Sequence, residues 1–417
     1  METSPPVDVA ASPAPTACSV WWARIGVLAA VWAVVWTLLA LFATKHHGFD
    51  LRIYHHAIRW WWDGHDLYGY AEAGSHNGFT YPPFAAVALS PLAALPFGVA
   101  HPLLLALNLG LVLLVIWWLF RPLADRWGWP TWYLLALALP LAVALEPIRE
   151  TLGFGQVNLV LATLIGIDLV LLARGGRRGV GIGIGLAAAV KLTPAVFILF
   201  LFATRRWRAG ATATATAATA TLIAAGLDWS ASWRFWTTTL WQTRRVGRFD
   251  STPNQSLQGL LARLADTGHP SRLLWLVAAL ALVAIGLYRA VKASRAGDQL
   301  AAGTITGLLS CALSPVGWTH HLVWVLPAVA ILAQSALQRR SVARLVVAAG
   351  SYALFVSSII WLWRRNAPHH WDYGPAGIVL ENAYILAVLA LICLLPIRPG
   401  SDVTLADPAG TAAPAPR

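Results

Sequence analysis

Residues 101–120 read HPLLLALNLGLVLLVIWWLF, twenty positions whose only ionisable side chain is His101 at the first. A helix of that length is about 30 Å long, the hydrocarbon thickness of a bilayer. Comparable apolar runs lie near 20–43, 130–147, 157–173 and 208–226, and again near 272–292, 299–315, 321–337, 343–364 and 376–396. They do not alternate in polarity, as membrane strands would. Composition agrees, since 58% of the 417 residues are hydrophobic and 12% charged, against about 25% charged in soluble domains. The expected fold class is all-α, a polytopic transmembrane helical bundle with about ten full spans.

The formal net charge of +12 would suggest nucleic acid in a soluble protein. Here it has a simpler origin, because the basic segments 121–126, 174–178, 205–208, 289–295 and 339–344 all fall on one side of the ten-span map. Short basic loops mark the cytoplasmic face, so both termini are expected there and no nucleic-acid partner is expected. Residues 1–19 and 397–417 are Pro/Ala-rich and read as disordered cytoplasmic tails around one multi-span unit, 20–396. The N-terminal segment lacks the basic start and cleavage site of a secretory signal, so run 20–43 is expected to stay as an anchor. The long outer loops are then 44–100 and 227–271, and the twelve histidines and most acids fall in or beside the outer segments.

Two apolar stretches break the alternation. Counting 84–99 as a crossing would put Arg121 and Arg126 outside, so it reads as re-entrant or interfacial. The stretch 180–204, VGIGIGLAAAVKLTPAVFILFLFAT, has basic residues at both ends and Lys191-Leu192-Thr193-Pro194 in its middle. Two half-helices meeting at Lys191 satisfy the charge map, and Pro194, lacking an N–H, supplies the break. Broken helices at membrane depth occur where they are buried in protein or line a wet cavity.

Several polar groups stand out. Asp50, about seven residues past the first run, could serve as a general base toward a hydroxyl or could cap an interfacial helix; spacing alone favours the cap. Lys191 within an apolar segment is costly, which marks it as functional, with a lipid-linked phosphate or Glu146 as its partner. The connector carrying Glu146, Arg149, Glu150, Gln156 and Asn158 reads on its own as a Pro/Gly-rich turn with a surface ion pair. His320 and His321 are adjacent, not at the i, i+4 spacing of helical metal ligands, so phosphate or hydroxyl contact is expected of one of them. Loop arginines Arg234, Arg244, Arg245, Arg248 and Arg263 suit phosphate, although a long loop is translocated whatever its charge. Trp229, Trp233, Trp236 and Trp241 read as interfacial anchors. Cys18, Cys311 and Cys393 give no disulfide or metal spacing. A phosphate loop, H-E-x-x-H and D-x-D are all missing, so no metal and no cofactor are expected, and an activated donor would be lipid-borne.

Eight segments in order resemble one known family: Asp50–Tyr54, Gly64 with Leu67-Tyr68, and Phe79-Thr80-Tyr81-Pro82-Pro83-Phe84; Glu146-Pro147-Ile148-Arg149, Gly155-Gln156-Val157-Asn158 and Lys191-Leu192-Thr193-Pro194; Asn254-Gln255-Ser256, and Ser314-Pro315 through His320-His321. The chain resembles the family 87 glycosyltransferases of actinobacteria over roughly residues 20–396. The resemblance implies a GT-C fold with an extracytoplasmic active site. It implies an inverting transferase that uses polyprenyl-phosphate-mannose and builds α-(1→2) linkages on a glycolipid acceptor, phosphatidylinositol mannoside or lipomannan. It makes Asp50 the general base and places Lys191, His320 and His321 near the donor phosphate. Tyr81, Glu146, Arg149, Gln156, Asn158, Asn254 and Gln255 match motif positions in the substrate-binding region. The stretch between Tyr68 and Phe79 is short for the family, which leaves the acceptor open. Two alternatives remain: an arabinofuranosyl donor on decaprenyl phosphate, and a lipid-linked-sugar flippase or transporter. The latter would show internal repeats, and none is evident. Oligomeric state is not legible in these residues.

Overall fold

The computed structural model describes residues 17–42, 46–75, 77–176, 178–265, 268, 270–363, 372 and 374–401. The expected N-terminal tail up to residue 16 and the tail from 402 onward lie outside the described residues, as does most of 364–373. Among the described residues the chain is helical, and its one β feature is an isolated bridge between Asn254 and Trp318. In order run α1 (Ala17–Phe42), α2 (Phe49–Trp62), α3 (Pro83–Ala93), α4 (Phe97–Trp127), α5 (Thr131–Ala144) and α6 (Glu146–Phe154). Then come α7 (Asn158–Ala173), α8 (Ile182–Val190), α9 (Ala195–Ala203), α10 (Trp207–Leu227), α11 (Trp229–Thr237) and α12 (Leu257–Leu264). The last six are α13 (Arg272–Arg295), α14 (Gln299–Leu313), α15 (Val325–Gln338), α16 (Val342–Val356), α17 (Gly374–Glu381) and α18 (Ala383–Leu394). Prolines punctuate the starts: Pro96, Pro130 and Pro194 each precede a helix, where a missing N–H and a fixed φ do no harm.

Among the described residues four helices, α1, α4, α10 and α13, are long and apolar enough to cross a membrane alone, or six spans if the bent pairs α5–α6 and α17–α18 each count as one. This marks a multi-pass membrane protein. It stops short of the ten full spans expected from sequence. Helices α7, α14, α15 and α16 hold 16, 15, 14 and 15 residues, about 21–24 Å each. Part of several apolar runs is spent on turns: run 321–337 starts as the short turn Thr319–His321, with α15 delayed to Val325. Run 343–364 leaves α16 at Val356 and ends in another short turn, Ile359–Trp363. Run 130–147 bends by 82° between α5 and α6.

The stretch 180–204 forms two nine-residue helices, α8 and α9, with Lys191 in extended conformation at the break and Pro194 opening α9. Residues 84–99 become the eleven-residue α3 followed by the start of α4, and α3 is about 16 Å long, too short to span. The centre of the bundle is α14, nearly every residue of which is buried between α7, α9, α13, α15 and α18. At the periphery, α1 buries only Val35 among its large side chains and leans on α5, where Trp32 Nε1 donates to the Ala136 carbonyl at 3.0 Å.

The contact that positions the site joins α2 to α6. Gly48 caps α2 and its N–H donates to the Gly153 carbonyl at 2.9 Å. Gly155 ends α6 at φ 68°, and a Cβ there would lie 2.8 Å from Leu51 Cβ and 3.4 Å from Gly48 Cα. Two glycines thus let the first turn of α2 touch the last turn of α6. Gly155→Ala is expected to cost about 1–2 kcal/mol from the left-handed backbone alone, plus the overlap with Leu51. Gly74→Ala, also at positive φ (74°) but with nothing within 4 Å of its Cβ position, carries the backbone term only. Thermal unfolding of the purified protein in detergent should rank wild type above Gly74→Ala above Gly155→Ala.

Candidate active site

Asp50 lies in the first turn of α2 but does not cap it; Gly48 holds the cap position. The Asp50 side chain instead crosses to the turn after α6, where Gln156 Nε2 donates to Oδ2 at 2.6 Å. Tyr54, one turn further along α2, accepts from the same Gln156 nitrogen at 2.8 Å and donates to the Tyr81 hydroxyl at 3.0 Å. Tyr81 closes the ring by donating to Gln156 Oε1 at 3.1 Å. The Gln156 amide is therefore locked in one orientation, with an N–H aimed at the carboxylate.

Lys191 enters from the helix break. Its ammonium stands 5.0 Å above the Tyr81 ring, a cation–π contact, and donates to Asn158 Oδ1 at 3.1 Å. Asn158 Nδ2 in turn donates to the His320 carbonyl at 2.8 Å, shared with Thr151 Oγ1 at 2.9 Å. His320 Nε2 stands 3.9 Å from Asp50 Oδ2, and the Trp318 N–H donates to His321 Nδ1 at 3.3 Å. Asp50, Lys191 and the histidine pair thus converge through Gln156, Tyr81 and Asn158.

A cavity of about 600 Å³ opens over this network, lined by Asp50, Tyr81, Gln156, His320 and His321, a size that accommodates a small-molecule ligand. The Asp50 side chain is 17% exposed into it. Lys191 and Asn158 lie behind its wall, in a space of about 30 Å³ that shares His321 with the main cavity. Burial pushes the Asp50 carboxyl up to about 6, opposed by the Gln156 hydrogen bond and by the charges of Lys191 and His46. Burial, followed by the nearby Lys191 charge, holds both His320 and His321 well below the usual histidine range. Both rings are therefore neutral at physiological pH and offer hydrogen bonds, not positive charge.

Other sequence candidates stand away from the cavity. Glu146 accepts from Trp361 Nε1 at 2.7 Å and Tyr384 Oη at 2.6 Å, with Arg149 Nη2 at 3.6 Å. Arg149 donates to the carbonyls of Ala144 and Val356 and to the Ser358 hydroxyl. This pair ties α6 to the C-terminal helices and orients Trp361, which lines the cavity. Asn254 accepts from the Gly317 N–H at 2.8 Å and donates to the Pro315 carbonyl at 3.2 Å. Gln255 donates to the Thr252 and Glu381 carbonyls and accepts from the Ile385 N–H. Asn254 stitches this loop onto the turn that carries the histidines, and Gln255 ties the same loop to the junction of α17 and α18.

Some cavity residues were not singled out from sequence. His46 pairs with Glu150 at 2.5 Å and stacks on Phe154, and all three line the cavity. Glu150 read as part of a connector with a surface ion pair; its burial follows from the bend before α6, which periodicity does not reveal. The loop arginines divide. Arg245 lines the cavity and donates to the Tyr68 carbonyl at 2.6 Å, whereas Arg234 pairs with Asp66, Arg248 with Asp250, and Arg263 is buried against Asn382 and the Ser251 and Asn254 carbonyls. Among the described residues no group of three His, Cys, Asp or Glu side chains could hold a metal ion.

A buried, aimed carboxylate facing a cavity with cationic groups at its wall suits transfer to a hydroxyl with an anionic leaving group. The chain belongs to glycosyltransferase family 87, which matches residues 79–315. It is 34% identical over 396 residues, 88% of this chain and 89% of the relative, to a polyprenol-phosphate-mannose-dependent α-(1-2)-phosphatidylinositol mannoside mannosyltransferase of Mycolicibacterium smegmatis. A protein of the same name in Mycobacterium tuberculosis is 34% identical over 342 residues, 78% of this chain and 79% of its own. A pentamannoside mannosyltransferase of M. tuberculosis is 30% identical over 344 residues, covering 78% of this chain and 76% of its own. No solved structure gives a significant match.

The carboxyl at about 6 sets a pH dependence. With Asp50 as the proton acceptor, the carboxyl must be ionised to work, and in that role transfer should rise with pH through about 6 and level off above it. Lys191 lowers the Asp50 value, so Lys191→Met should shift this acid limb to higher pH as well as slow transfer. Initial rates between pH 5 and 8 at subsaturating acceptor check both; an unmoved limb would separate Lys191 from Asp50.

Proposed function

We propose that the chain moves mannose from polyprenyl-phosphate-mannose to a mannose hydroxyl of a phosphatidylinositol mannoside, forming an α-(1→2) linkage with inversion. The observation that carries this reading is the Asp50–Gln156 pair at the base of the 600 Å³ cavity, with Lys191 behind its wall. The names of relatives matched over most of the chain support the donor and acceptor classes.

In this mechanism the acceptor hydroxyl lies against Asp50 Oδ1 or Oδ2 and attacks the anomeric carbon of the β-mannosyl phosphate from the face opposite the phosphate. The new C–O bond forms as the C1–O bond to phosphate breaks, and the electron pair leaves with polyprenyl phosphate. The hydroxyl proton passes to Asp50, which has a value close to the operating pH, as an efficient base requires. Lys191 and Arg245 offset the charge growing on the phosphate, and neutral His320 or His321 donates a hydrogen bond to it, which is stabilisation of developing charge. These side chains stabilise the departing polyprenyl phosphate. Holding both lipids at one depth adds proximity.

The same reading places the cavity on the extracytoplasmic side, with the basic segments and both termini in the cytoplasm, in a GT-C bundle of more crossings than the six spans that length and composition mark. The charge map supports that orientation, and the sequence spacing of the shorter helices α7, α14, α15 and α16 supports the extra crossings.

Asp50→Asn should lower transfer from labelled polyprenyl-phosphate-mannose by about 10²–10⁴-fold, the usual weight of a general base. Its melting temperature at neutral pH should not fall, because the folded protein holds the Asp50 proton more tightly than the unfolded chain and its ionised form is the less stabilising one. Near-normal turnover by this variant contradicts the base assignment. Transfer from decaprenyl-phosphate-arabinose, with none from the mannosyl donor, contradicts the sugar assignment.

A further inference from the structure

A second cavity opens at the end of the bundle remote from Asp50. Helix α4 measures the separation. His101, near its start, lies against Gly48, where a Cβ would meet the ring at 2.8 Å, whereas Arg126, in its last turn, is about 38 Å further along the axis. That exceeds the hydrocarbon thickness of about 30 Å, so this cavity faces the opposite membrane surface from the transfer site.

The cavity is about 500 Å³ and lies between α4, α15 and the chain that follows α18. Its inner wall is apolar, with Leu119, Leu123 and Leu300, and its rim carries Arg126, Arg340 and Arg398. Among the described residues no acidic side chain lines it. Arg398 is already committed: it grips the buried Asp298 through Nε at 3.1 Å and Nη2 at 2.9 Å, and donates to Gln334. The side chains of Arg126 and Arg340 have no hydrogen bond or ion pair among the described residues, and both are exposed. The neighbouring Asp125 is paired instead with Arg121 at 3.5 Å. Two unpaired guanidinium groups over an apolar wall present the chemistry of an anionic amphiphile turned inside out.

We propose that this cavity binds the phosphate headgroup of an anionic phospholipid, with the phosphodiester between Arg126 and Arg340 and an acyl chain along Leu119, Leu123 and Leu300. Arginine forks match phosphate oxygens in pairs, and basic pockets between spanning helices recognise anionic headgroups. The apolar wall below the rim selects a lipid over a free phosphate. Trp118 and Trp127 border the same cavity, at the headgroup level that tryptophan favours. Arg398, held by Asp298, fixes the third side of the rim. The site is independent of the transfer cavity, so it is a docking place for bulk lipid and not for donor or acceptor.

Native mass spectrometry and thermal unfolding of the full chain in detergent test this with dioleoyl phosphatidylglycerol as probe. Wild type should retain one lipid and melt higher on its addition, while dioleoyl phosphatidylcholine and glycerol 3-phosphate should do neither. Arg126→Gln with Arg340→Gln should weaken retention about tenfold and abolish the thermal shift, with mannosyl transfer in lipid-free detergent unchanged. Arg205→Gln with Arg206→Gln, an exposed pair outside the cavity, should behave as wild type. The proposal is overturned if the first pair binds like wild type, if the second loses binding equally, or if glycerol 3-phosphate protects as well as the lipid. Should the glutamine pair fail to fold, Arg126→Lys with Arg340→Lys keeps the charge without the fork and should bind a few-fold more weakly; wild-type binding by that pair is also contradictory.

Discussion

The site depends on one hydrogen bond, from Gln156 Nε2 to Asp50 Oδ2 at 2.6 Å, because it links the cavity carboxylate to Tyr54 and Tyr81 through the same amide. A carboxylate drawn into a membrane protein loses hydration, and the loss raises its proton affinity. The Gln156 N–H and the Lys191 charge return part of that loss, leaving Asp50 at about 6. In the proposed base role, too little compensation would leave the acid protonated in use, and too much would make it a weak base. The balance needs the Gln156 amide fixed, which Tyr54 and Tyr81 achieve by occupying its remaining hydrogen-bonding positions. It also needs α2 and α6 in contact, which Gly48 and Gly155 permit.

The same arrangement assigns separate tasks to groups that sequence lists together. Lys191 stands behind the cavity wall, where its charge acts through Tyr81, Asn158 and His321 rather than as an exposed ligand. The buried histidines are neutral and serve as hydrogen-bonding groups. Glu146, Arg149, Asn254 and Gln255 hold the walls: the first two fix Trp361 and the C-terminal helices, Asn254 fixes the turn that carries His320, and Gln255 ties its loop to the start of α18. A pre-set wall of this kind keeps reacting groups in place without reorganisation during reaction.

Much of this was legible in the amino-acid sequence, for identifiable reasons. Apolar length reveals a membrane bundle because the hydrocarbon thickness admits few alternatives. A lysine and a proline inside 180–204 announce the helix break, since neither is tolerated there without local purpose, and α8 and α9 meet at that point. Crossing number was less legible. Runs 321–337 and 343–364 are apolar for two reasons, lipid and cavity packing, and composition does not separate them. Asp50 alone read as a helix cap, and only the Gly48 cap position shows otherwise. The His46–Glu150 pair stayed hidden because it joins the segment before α2 to α6, two stretches far apart in sequence, a tertiary contact with no periodic signature.

The most direct test is the structure of a ternary complex with an unreactive mannosyl-phosphate polyprenol and a mannolipid acceptor. The account predicts the acceptor hydroxyl oxygen about 3 Å from the Asp50 carboxylate, on the face of the anomeric carbon away from the phosphate, with the phosphate toward His321, Lys191 and Arg245. A hydroxyl seated on Glu150 with Asp50 remote from it, or the phosphate lying against Asp50, would contradict it.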